Sequence, residues 1–203
     1  MNLPGYWIDR YPVTVAQYAA FLNETGLEEH YAEFMANPHE CGIVARGDGR
    51  YDVVPGRQDH PVVYVSWHAA SAYAAWHDKM LPTEAQWERA ARGLAGRTYP
   101  WGDDPPTPER ANYDYCYGGT TPVGAFAAGA SDEGVFDLAG NAKEWCRDEY
   151  HPYPGGAPML AFDAATPDLD EHQRAALTRQ LYCVRGGGWT KQAAKASIGA
   201  PPG

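Results

Sequence analysis

Residues 134–145 read GVFDLAGNAKEW, and residues 184–189 read VRGGGW. The first stretch places two carboxylates, Asp137 and Glu144, around a Gly-Asn-Ala turn that is framed by apolar residues. Carboxylate and carbonyl oxygens are the ligands that Ca²⁺ prefers, so this turn is a candidate cation site. The second stretch is a glycine-rich strand end, where the backbone can approach a ligand or another strand closely.

The composition indicates one globular domain, which we place over residues 1–203. Hydrophobic residues make up 44% of the chain and charged residues 21%, which is unlike a disordered protein. The formal net charge of -10 argues against binding to nucleic acid or anionic lipid, since both need a basic surface. The sequence shows no membrane-spanning apolar run and does not open like a signal peptide. The chain as given is therefore predicted to be cytoplasmic.

Three helices are predicted from their N-terminal caps. Thr14 and Gln17 form a capping box ahead of a helix over about residues 15–25. Ser66 caps a second helix, and Thr83 caps a third. The residues predicted to share one face are Trp67, Ala70, Tyr73, Ala74 and His77 in the second helix, and Trp87, Ala90 and Ala91 in the third.

Beyond about residue 95 the chain is rich in Pro, Gly, Tyr and Asp, and we predict long loops there. Loops of this length in a compact domain need a ligand, an ion or packed aromatic side chains to order them. The polar, weakly helical segment 163–179 indicates an insertion. The four cysteines are far apart in sequence and show no metal-binding spacing, so we expect scattered buried thiols rather than disulfides.

Six motifs in a fixed order carry a family resemblance over about residues 6–190. They read YPVT (11–14), PVVYVSW (61–67), LPTEAQWE (81–88), WG (101–102), GVFDLAGNAKEW (134–145) and RGGGW (185–189). In this order they resemble the formylglycine-generating enzyme, or sulfatase-modifying factor, family. The resemblance implies an α+β fold, the loop-rich variant of the C-type lectin fold with few helices and short antiparallel strands.

The best-known enzymes of that family oxidise a sulfatase cysteine to formylglycine, using oxygen and a copper ion held by two cysteines. The resemblance places those two positions at Lys191 and Ala196, and neither side chain can replace the soft thiolate that copper(I) needs. The serine of the oxygen pocket corresponds to Gly188, and a tryptophan of the turn motif corresponds to Lys143. Formylglycine generation is therefore not expected, while enzymatic activity of another kind stays open.

The resemblance also implies structural Ca²⁺ sites. The better-preserved one corresponds to side-chain oxygens of Asp137 and Glu144 and to the carbonyl oxygens of Gly140 and Ala142. Water molecules would complete the six to eight oxygens that Ca²⁺ takes. The alternative interpretation is that the two carboxylates only cap turns.

The remaining candidate site residues lie outside this turn. The second implied Ca²⁺ site corresponds to Asn112 and the carbonyl oxygen of Tyr113. Trp101, Trp189 and Lys191 are candidate ligand-binding residues, because aromatic rings and a cation can line a groove. The alternative is that the tryptophans pack in the core and that the lysine belongs to a solvated face.

The leading hypothesis is a non-catalytic binding or accessory domain stabilised by calcium, whose protein or small-molecule ligand the sequence does not identify. One alternative is a diverged oxidoreductase that uses oxygen with iron or copper bound by other residues. Another is a ligand-display protein diversified by a retroelement, with variable residues around 185–200. The family's usual opening and closing strands are not found in the chain, so open sheet edges are expected to favour a partner or self-association.

Overall fold

The computed structural model describes residues 3–26, 38–151 and 182–190. In chain order the elements are α1 (Val15–Thr25), α2 (Pro38–Cys41), β1 (Ile43–Ala45), β2 (Tyr51–Val53), α3 (Trp67–Trp76), α4 (Glu84–Arg92), a 3₁₀ turn (Ala127–Gly129), β3 (Glu144–Glu149) and β4 (Tyr182–Arg185). Few helices, short strands and long loops confirm the predicted α+β fold. None of the helices in these ranges is long and apolar enough to cross a membrane. The predicted insertion over 163–179 lies outside the described residues.

Capping boxes fix where two of the helices begin. Thr14 Oγ1 accepts a hydrogen bond from Gln17 N, and the Gln17 side chain accepts one from Thr14 N. Helix α1 therefore begins at Val15, as predicted. Thr83 and Gln86 make the same exchange ahead of α4. Both helix starts were thus encoded by residues three positions apart.

The buried face of α3 differs in part from the prediction. Ser66 caps the helix as expected, with its Oγ accepting from Ala69 N at 3.1 Å. Tyr73 is buried as predicted, but Ala69 is the fully buried alanine and Ala70 is only half-buried. His77 is exposed because the helix has ended there and its backbone caps the C-terminus. The predicted stripe was therefore correct at Tyr73 and Ala74, and His77 stays on the side of Tyr73, with its Nε2 3.1 Å from the Tyr73 hydroxyl oxygen.

The strands form two separate antiparallel pairs. In the first, β1 pairs with β2, and Ile43 lies opposite Val53. In the second, β3 pairs with β4, and Glu144 lies opposite Arg185. The register of this second pair shifts before Glu149. Pairing of β3 with β4 brings the Gly-Asn-Ala turn, which precedes β3, and the glycine-rich segment, which follows β4, to the same end of this strand pair.

The hydrophobic core consists of two clusters. The first cluster joins α1, β1, β2 and α3, and the second joins α4 to the turn and to the β3–β4 pair. The first cluster contains Val15, Tyr18, Ala19, Phe21, Leu22, Cys41, Ile43, Tyr51, Ala69 and Tyr73. The second contains Trp87, Ala90, Ala91, Val135, Leu138, Ala139, Cys146 and Cys183. All three residues predicted to face inward from the third helix lie in the second cluster.

The cysteines are free thiols, in agreement with the prediction. Cys41, Cys146 and Cys183 are buried, whereas Cys116 is exposed, which the sequence did not indicate. Burial raises the pKa of the Cys146 thiol far above its usual range and that of Cys183 to about 11. These two thiols therefore behave as core packing groups.

Candidate cation and ligand site

The Gly-Asn-Ala turn lies directly against the glycine-rich strand end. Gly140 N donates to Gly186 O at 2.7 Å, and Trp189 N donates to Asn141 O at 3.2 Å. On its other side, Asn141 N donates to Asn112 O at 2.8 Å. Backbone hydrogen bonds thus hold three segments of distant sequence around one turn.

This packing explains two of the glycines. Gly140 has a φ of 113°, and a Cβ there would clash with the carbonyl oxygen of Asn112. A Cβ on Gly186 would lie 3.4 Å from Leu138 O and 3.6 Å from Ala142 O. Two carbonyl oxygens and the Trp87 ring, whose Cζ2 lies 3.4 Å from that Cβ, therefore line the space in front of Gly186.

The two carboxylates of the turn have different partners. Asp137 Oδ2 accepts from Gly124 N at 2.7 Å, and its Oδ1 accepts from Asn141 Nδ2 at 3.3 Å. Glu144 Oε2 accepts from Trp87 Nε1 at 2.9 Å. The other oxygen, Glu144 Oε1, is buried and has no hydrogen-bond partner. A buried carboxylate oxygen without a partner is unfavourable, and this one needs a cation, a water molecule or a proton.

Burial dominates the electrostatics of this pair. Glu144 is half-buried as a residue, but its carboxylate is enclosed, and burial raises its pKa to about 7. The hydrogen bond from Trp87 lowers that pKa, while the negative charge of Asp137 raises it further. Burial also raises the pKa of Asp137, against the lowering effect of its hydrogen bonds. Two neighbouring buried carboxylates are an environment that a divalent cation fits.

The second implied Ca²⁺ position is occupied by the protein's own hydrogen bonds. Asn112 is buried, and its Nδ2 donates to Gly119 O at 2.8 Å. Its Oδ1 accepts a long contact of 3.8 Å from Cys116 Sγ. The Tyr113 carbonyl accepts from Cys116 N at 3.0 Å, closing a turn. These contacts hold Asn112 and the Tyr113 carbonyl in one loop, and whether Ca²⁺ binds there stays a prediction.

Gly188 and Lys143, which the resemblance aligns with the oxygen-pocket serine and with a tryptophan of the turn motif, lie side by side. A Cβ on Gly188 would lie 3.8 Å from Lys143 Cγ, so the lysine stem covers the glycine. Next to them, the half-buried Trp189 packs edge-to-face on Tyr115 with ring centroids 5.2 Å apart. Tyr115 N also donates to Trp189 O at 2.8 Å. The surface there carries a cation and an aromatic pair.

Trp101 lies elsewhere. Its ring stacks on Tyr99 with centroids 5.1 Å apart, and its Nε1 donates to Asp104 O at 3.0 Å. It also packs against the second cluster. No ring contact joins it to the other candidate tryptophan within the ranges that the structure covers. Lys191 and Ala196 lie outside the described residues.

The chain matches a known protein family along nearly its whole length. The sequence profile of the sulfatase-modifying factor enzyme 1-like domain matches residues 1–200. The chain belongs to this family. The resemblance drawn from the six motifs is therefore confirmed, and so is the fold that it implied.

Relatives of this sulfatase-modifying factor-like domain are named for different activities. It is 37% identical to the formylglycine-generating enzyme of Thermomonospora curvata, covering 91% of this chain and 75% of that protein. It is 32% identical to the hercynine oxygenase of Mycolicibacterium smegmatis, covering 93% of this chain and 47% of that protein. It is 40% identical to the serine/threonine-protein kinase Pkn1 of Chlamydia trachomatis, covering 74% of this chain and 24% of that protein. The domain thus spans about half or less of two of these relatives.

A solved structure supports the fold. The domain superposes on PvdO from Pseudomonas aeruginosa with a TM-score of 0.61 and 24% identity, covering 93% of this chain and 70% of that one. At this identity the likeness concerns the fold alone.

The sequence did not indicate two contacts of this sulfatase-modifying factor-like domain that shape the site. Trp87, predicted only as a core residue, also donates to Glu144. Asn112 Nδ2 lies 3.3 Å from Asn141 Oδ1, so two buried asparagines bond each other. Both contacts join residues more than 25 positions apart, and local sequence patterns do not predict such pairs.

Proposed function

We propose that this chain is a non-catalytic member of the sulfatase-modifying factor family, a binding or accessory domain whose turn is stabilised by Ca²⁺. The observation that carries the proposal is the pair formed by Lys143 and Gly188. The family resemblance assigns these positions to a tryptophan of the turn motif and to a serine that lines the oxygen pocket. A lysine ammonium and a bare glycine backbone supply neither group.

The sequence that follows supports the same conclusion. The two positions of the copper cysteines carry Lys191 and Ala196. Copper(I) needs thiolate ligands, which neither residue offers. Cys146 and Cys183, on the nearby β3–β4 pair, are buried in the second cluster with raised pKa values, so burial disfavours the thiolate form there.

The test is a formylglycine assay. The purified chain is loaded with copper and incubated in air with a peptide that carries a sulfatase cysteine motif, and the product is analysed by mass spectrometry. The enzyme of Thermomonospora curvata serves as the positive control. We expect no loss of the cysteine thiol beyond the rate without protein. Turnover of the peptide to formylglycine would overturn the proposal.

The calcium part of the proposal rests on the geometry of the turn. Asp137 and Glu144 would supply side-chain oxygens, and Gly140 and Ala142 would supply carbonyl oxygens. The unpartnered Glu144 Oε1 is the group that most needs a cation. The ion would supply positive charge that holds irregular backbone in place, and no reaction step is assigned to it.

A melting experiment tests the ion. We expect Ca²⁺ to raise the Tm of the wild type after treatment with a chelator, because a ligand that binds only the folded state stabilises it. Glu144→Gln removes the charge and keeps the side-chain shape, so it should lose most of the shift. Glu109→Gln, a change at an exposed residue, is the control and should keep the shift. An unchanged Tm of the wild type across millimolar Ca²⁺ would leave both carboxylates as turn residues.

An oxygen-using enzyme with another metal centre is the second candidate. It is favoured by the similarity to hercynine oxygenase and to formylglycine-generating enzymes. In the described residues no group of three or more His, Cys, Asp or Glu side chains is placed to hold a metal ion, so the geometry there adds no support. Metal analysis of protein purified without chelator separates the candidates: stoichiometric iron or copper favours the enzyme, and calcium alone favours the binding domain.

A further inference from the structure

A large apolar cavity opens between the two hydrophobic clusters. Its volume is about 610 Å³, within the range of ligand-binding sites. Tyr18 and Tyr73 of the first cluster and Val135 and Leu138 of the second line its walls. The Tyr18 hydroxyl is buried without a hydrogen-bond partner. An apolar space of this size forfeits van der Waals contacts that an occupant would restore.

One wall of the cavity is a segment outside the helices and strands whose backbone groups make no hydrogen bonds with the described residues. Residues 6–9 line the cavity and belong to no helix or strand. Within the described part of the chain, no hydrogen bond involves the backbone amide or carbonyl of Trp7, Ile8 or Asp9. The Trp7 side chain is wholly exposed. Free backbone groups beside an exposed aromatic ring form a ready edge for a further strand.

The segment is nevertheless held at both ends. Tyr6 Oη donates to Gln86 O at 2.7 Å, which ties its start to α4. Phe136 N donates to Arg10 O at 2.9 Å, which ties its end to the second cluster. The free edge is therefore presented in a fixed position and needs little reordering to accept a partner.

Cations lie at the rim of the cavity. Lys143 and Arg147 both line it and are exposed, and neither forms an ion pair with a carboxylate among the described residues. Arg147 Nη1 lies 3.5 Å from the sulfur of Met80, a lining residue whose side chain is 73% exposed. Two carboxylates also line the cavity: Asp9 is paired with Lys79 at 2.7 Å, and Glu144 accepts from Trp87. Among the described lining residues, Lys143 and Arg147 therefore remain as the cations without a carboxylate partner beside the apolar side chains at the opening.

We propose that this cavity receives an extended apolar peptide segment with acidic residues at one end. The segment pairs as a β-strand with the backbone of residues 6–9, places alternate side chains in the cavity and sets its carboxylates against Lys143 and Arg147. This is peptide recognition by strand addition, in which backbone bonds give affinity and pockets give specificity. The inference deepens the binding role proposed above.

The free backbone edge distinguishes a peptide from a small amphipathic anion. A fatty acid would fill the cavity and meet the two cations, but it would leave the amides of Trp7 and Asp9 unpaired. A peptide strand can fill the apolar cavity, contact the two cations and pair with the free backbone groups at the same time. The test therefore varies the backbone, the charge and the apolar body of the probe separately.

The probe is a capped peptide of alternating threonine and valine that ends in two aspartates. Its first control carries N-methyl groups on alternate backbone amides, and its second ends in two lysines. Dodecanoate is the small-molecule control. Binding to the full chain is measured by titration calorimetry. We expect the acidic peptide to bind, and the N-methylated and lysine-ended peptides to bind at least tenfold more weakly, about the loss of one or two hydrogen bonds or a charge contact.

A matched pair of variants tests the edge itself. Trp7→Ala and Trp7→Pro both remove the exposed indole, but only the proline removes the amide N–H. Because Trp7 is wholly exposed, both variants should fold, which a thermal melt verifies. We expect Trp7→Pro to bind the acidic peptide about three- to tenfold more weakly than Trp7→Ala. Arg147→Glu should reverse the preference between the two peptide ends.

Four outcomes would overturn the inference: no binding of the acidic peptide at millimolar concentration, equal binding of the N-methylated peptide, binding of dodecanoate alone, or equal affinity of the two Trp7 variants. A concentration-dependent dimer that Trp7→Pro dissociates would also overturn it, by giving the edge to a second copy. None of these measurements uses calcium or oxygen. Failure of the peptide to bind would therefore leave the proposed non-catalytic role standing, and formylglycine formation would not by itself exclude the peptide site.

Discussion

Asn141 holds the site together more than any charged residue does. It is buried, and its Oδ1 accepts from Thr121 N at 2.9 Å and lies 3.3 Å from Asn112 Nδ2. Its Nδ2 donates to Thr121 O at 3.1 Å and to Asp137 Oδ1 at 3.3 Å. One neutral side chain thus satisfies polar groups from three loops. An amide can do this because it donates and accepts at the same time.

Replacing Asn141 with alanine should be strongly destabilising. The change leaves several buried donors and acceptors unpaired, at about 1–3 kcal/mol for each group that water does not reach. We expect Asn141→Ala to lower the free energy of unfolding by about 2–4 kcal/mol in urea titrations. Glu109→Ala, at an exposed position of the same loop region, should change it by less than about 0.5 kcal/mol. Equal midpoints for the two variants would show that Asn141 is not a structural centre.

Thiol reactivity should follow the burial of the cysteines. Cys116 is exposed, whereas Cys41, Cys146 and Cys183 are buried. Burial also raises the pKa of each of the three buried thiols, which lowers their thiolate fraction. We expect one thiol per native chain to react rapidly with an aromatic disulfide reagent at mildly alkaline pH, and Cys116→Ser to remove that phase. A second rapid thiol in the variant would contradict the described packing.

His60 should make stability depend on pH. Its Nδ1 lies 3.0 Å from Thr120 Oγ1, and burial, followed by the positive charge of Arg57, lowers its pKa. Because the folded pKa is below the ordinary value of about 6.5, protonation favours the unfolded chain. The stabilising contribution of neutral His60 is complete above about pH 6.5 and is lost as the pH falls below that value towards the lower pKa of the folded state. His60→Gln should lose less stability than the wild type between about pH 7.5 and 5.5, and parallel curves would contradict this.

At the scale of the elements, local sequence decides where helices start. The caps of α1, α3 and α4 were predictable because a cap and its partner lie within three residues of each other. The buried side of α3 was less predictable, since its face is chosen by contacts with α1 and with a cavity that the sequence does not display. For the same reason Ala69 rather than Ala70 is fully buried.

The cap of α4 offers a direct test. Thr83→Ala removes the acceptor for Gln86 N and should cost about 1 kcal/mol of stability. Thr83→Ser keeps the hydroxyl and is the matched control, with a cost of only a few tenths of a kcal/mol. Chemical denaturation of the two variants beside the wild type measures both values. A loss in Thr83→Ser as large as in Thr83→Ala would assign the effect to the methyl group instead.

Only the parts of the site that lie within the family motifs were predictable from the sequence. The family motifs placed Asp137 and Glu144 on one turn, and the structure keeps them close enough for the charge of one to raise the pKa of the other. Whether Ca²⁺ binds there stays a prediction. The bond from Trp87 to Glu144 and the free edge over residues 6–9 come from long-range packing. Sequence periodicity carries no information about either.

At the scale of the whole molecule, residues of both hydrophobic clusters line one cavity. The first cluster unites the helices α1 and α3 with the β1–β2 pair, and the second unites α4 with the candidate site. The consequence concerns cooperativity. Packing clusters on either side of a cavity can open at different denaturant concentrations, so hydrogen exchange should find two protection levels. A peptide bound in the cavity would contact both clusters, so it should merge the two transitions into one and make unfolding more cooperative.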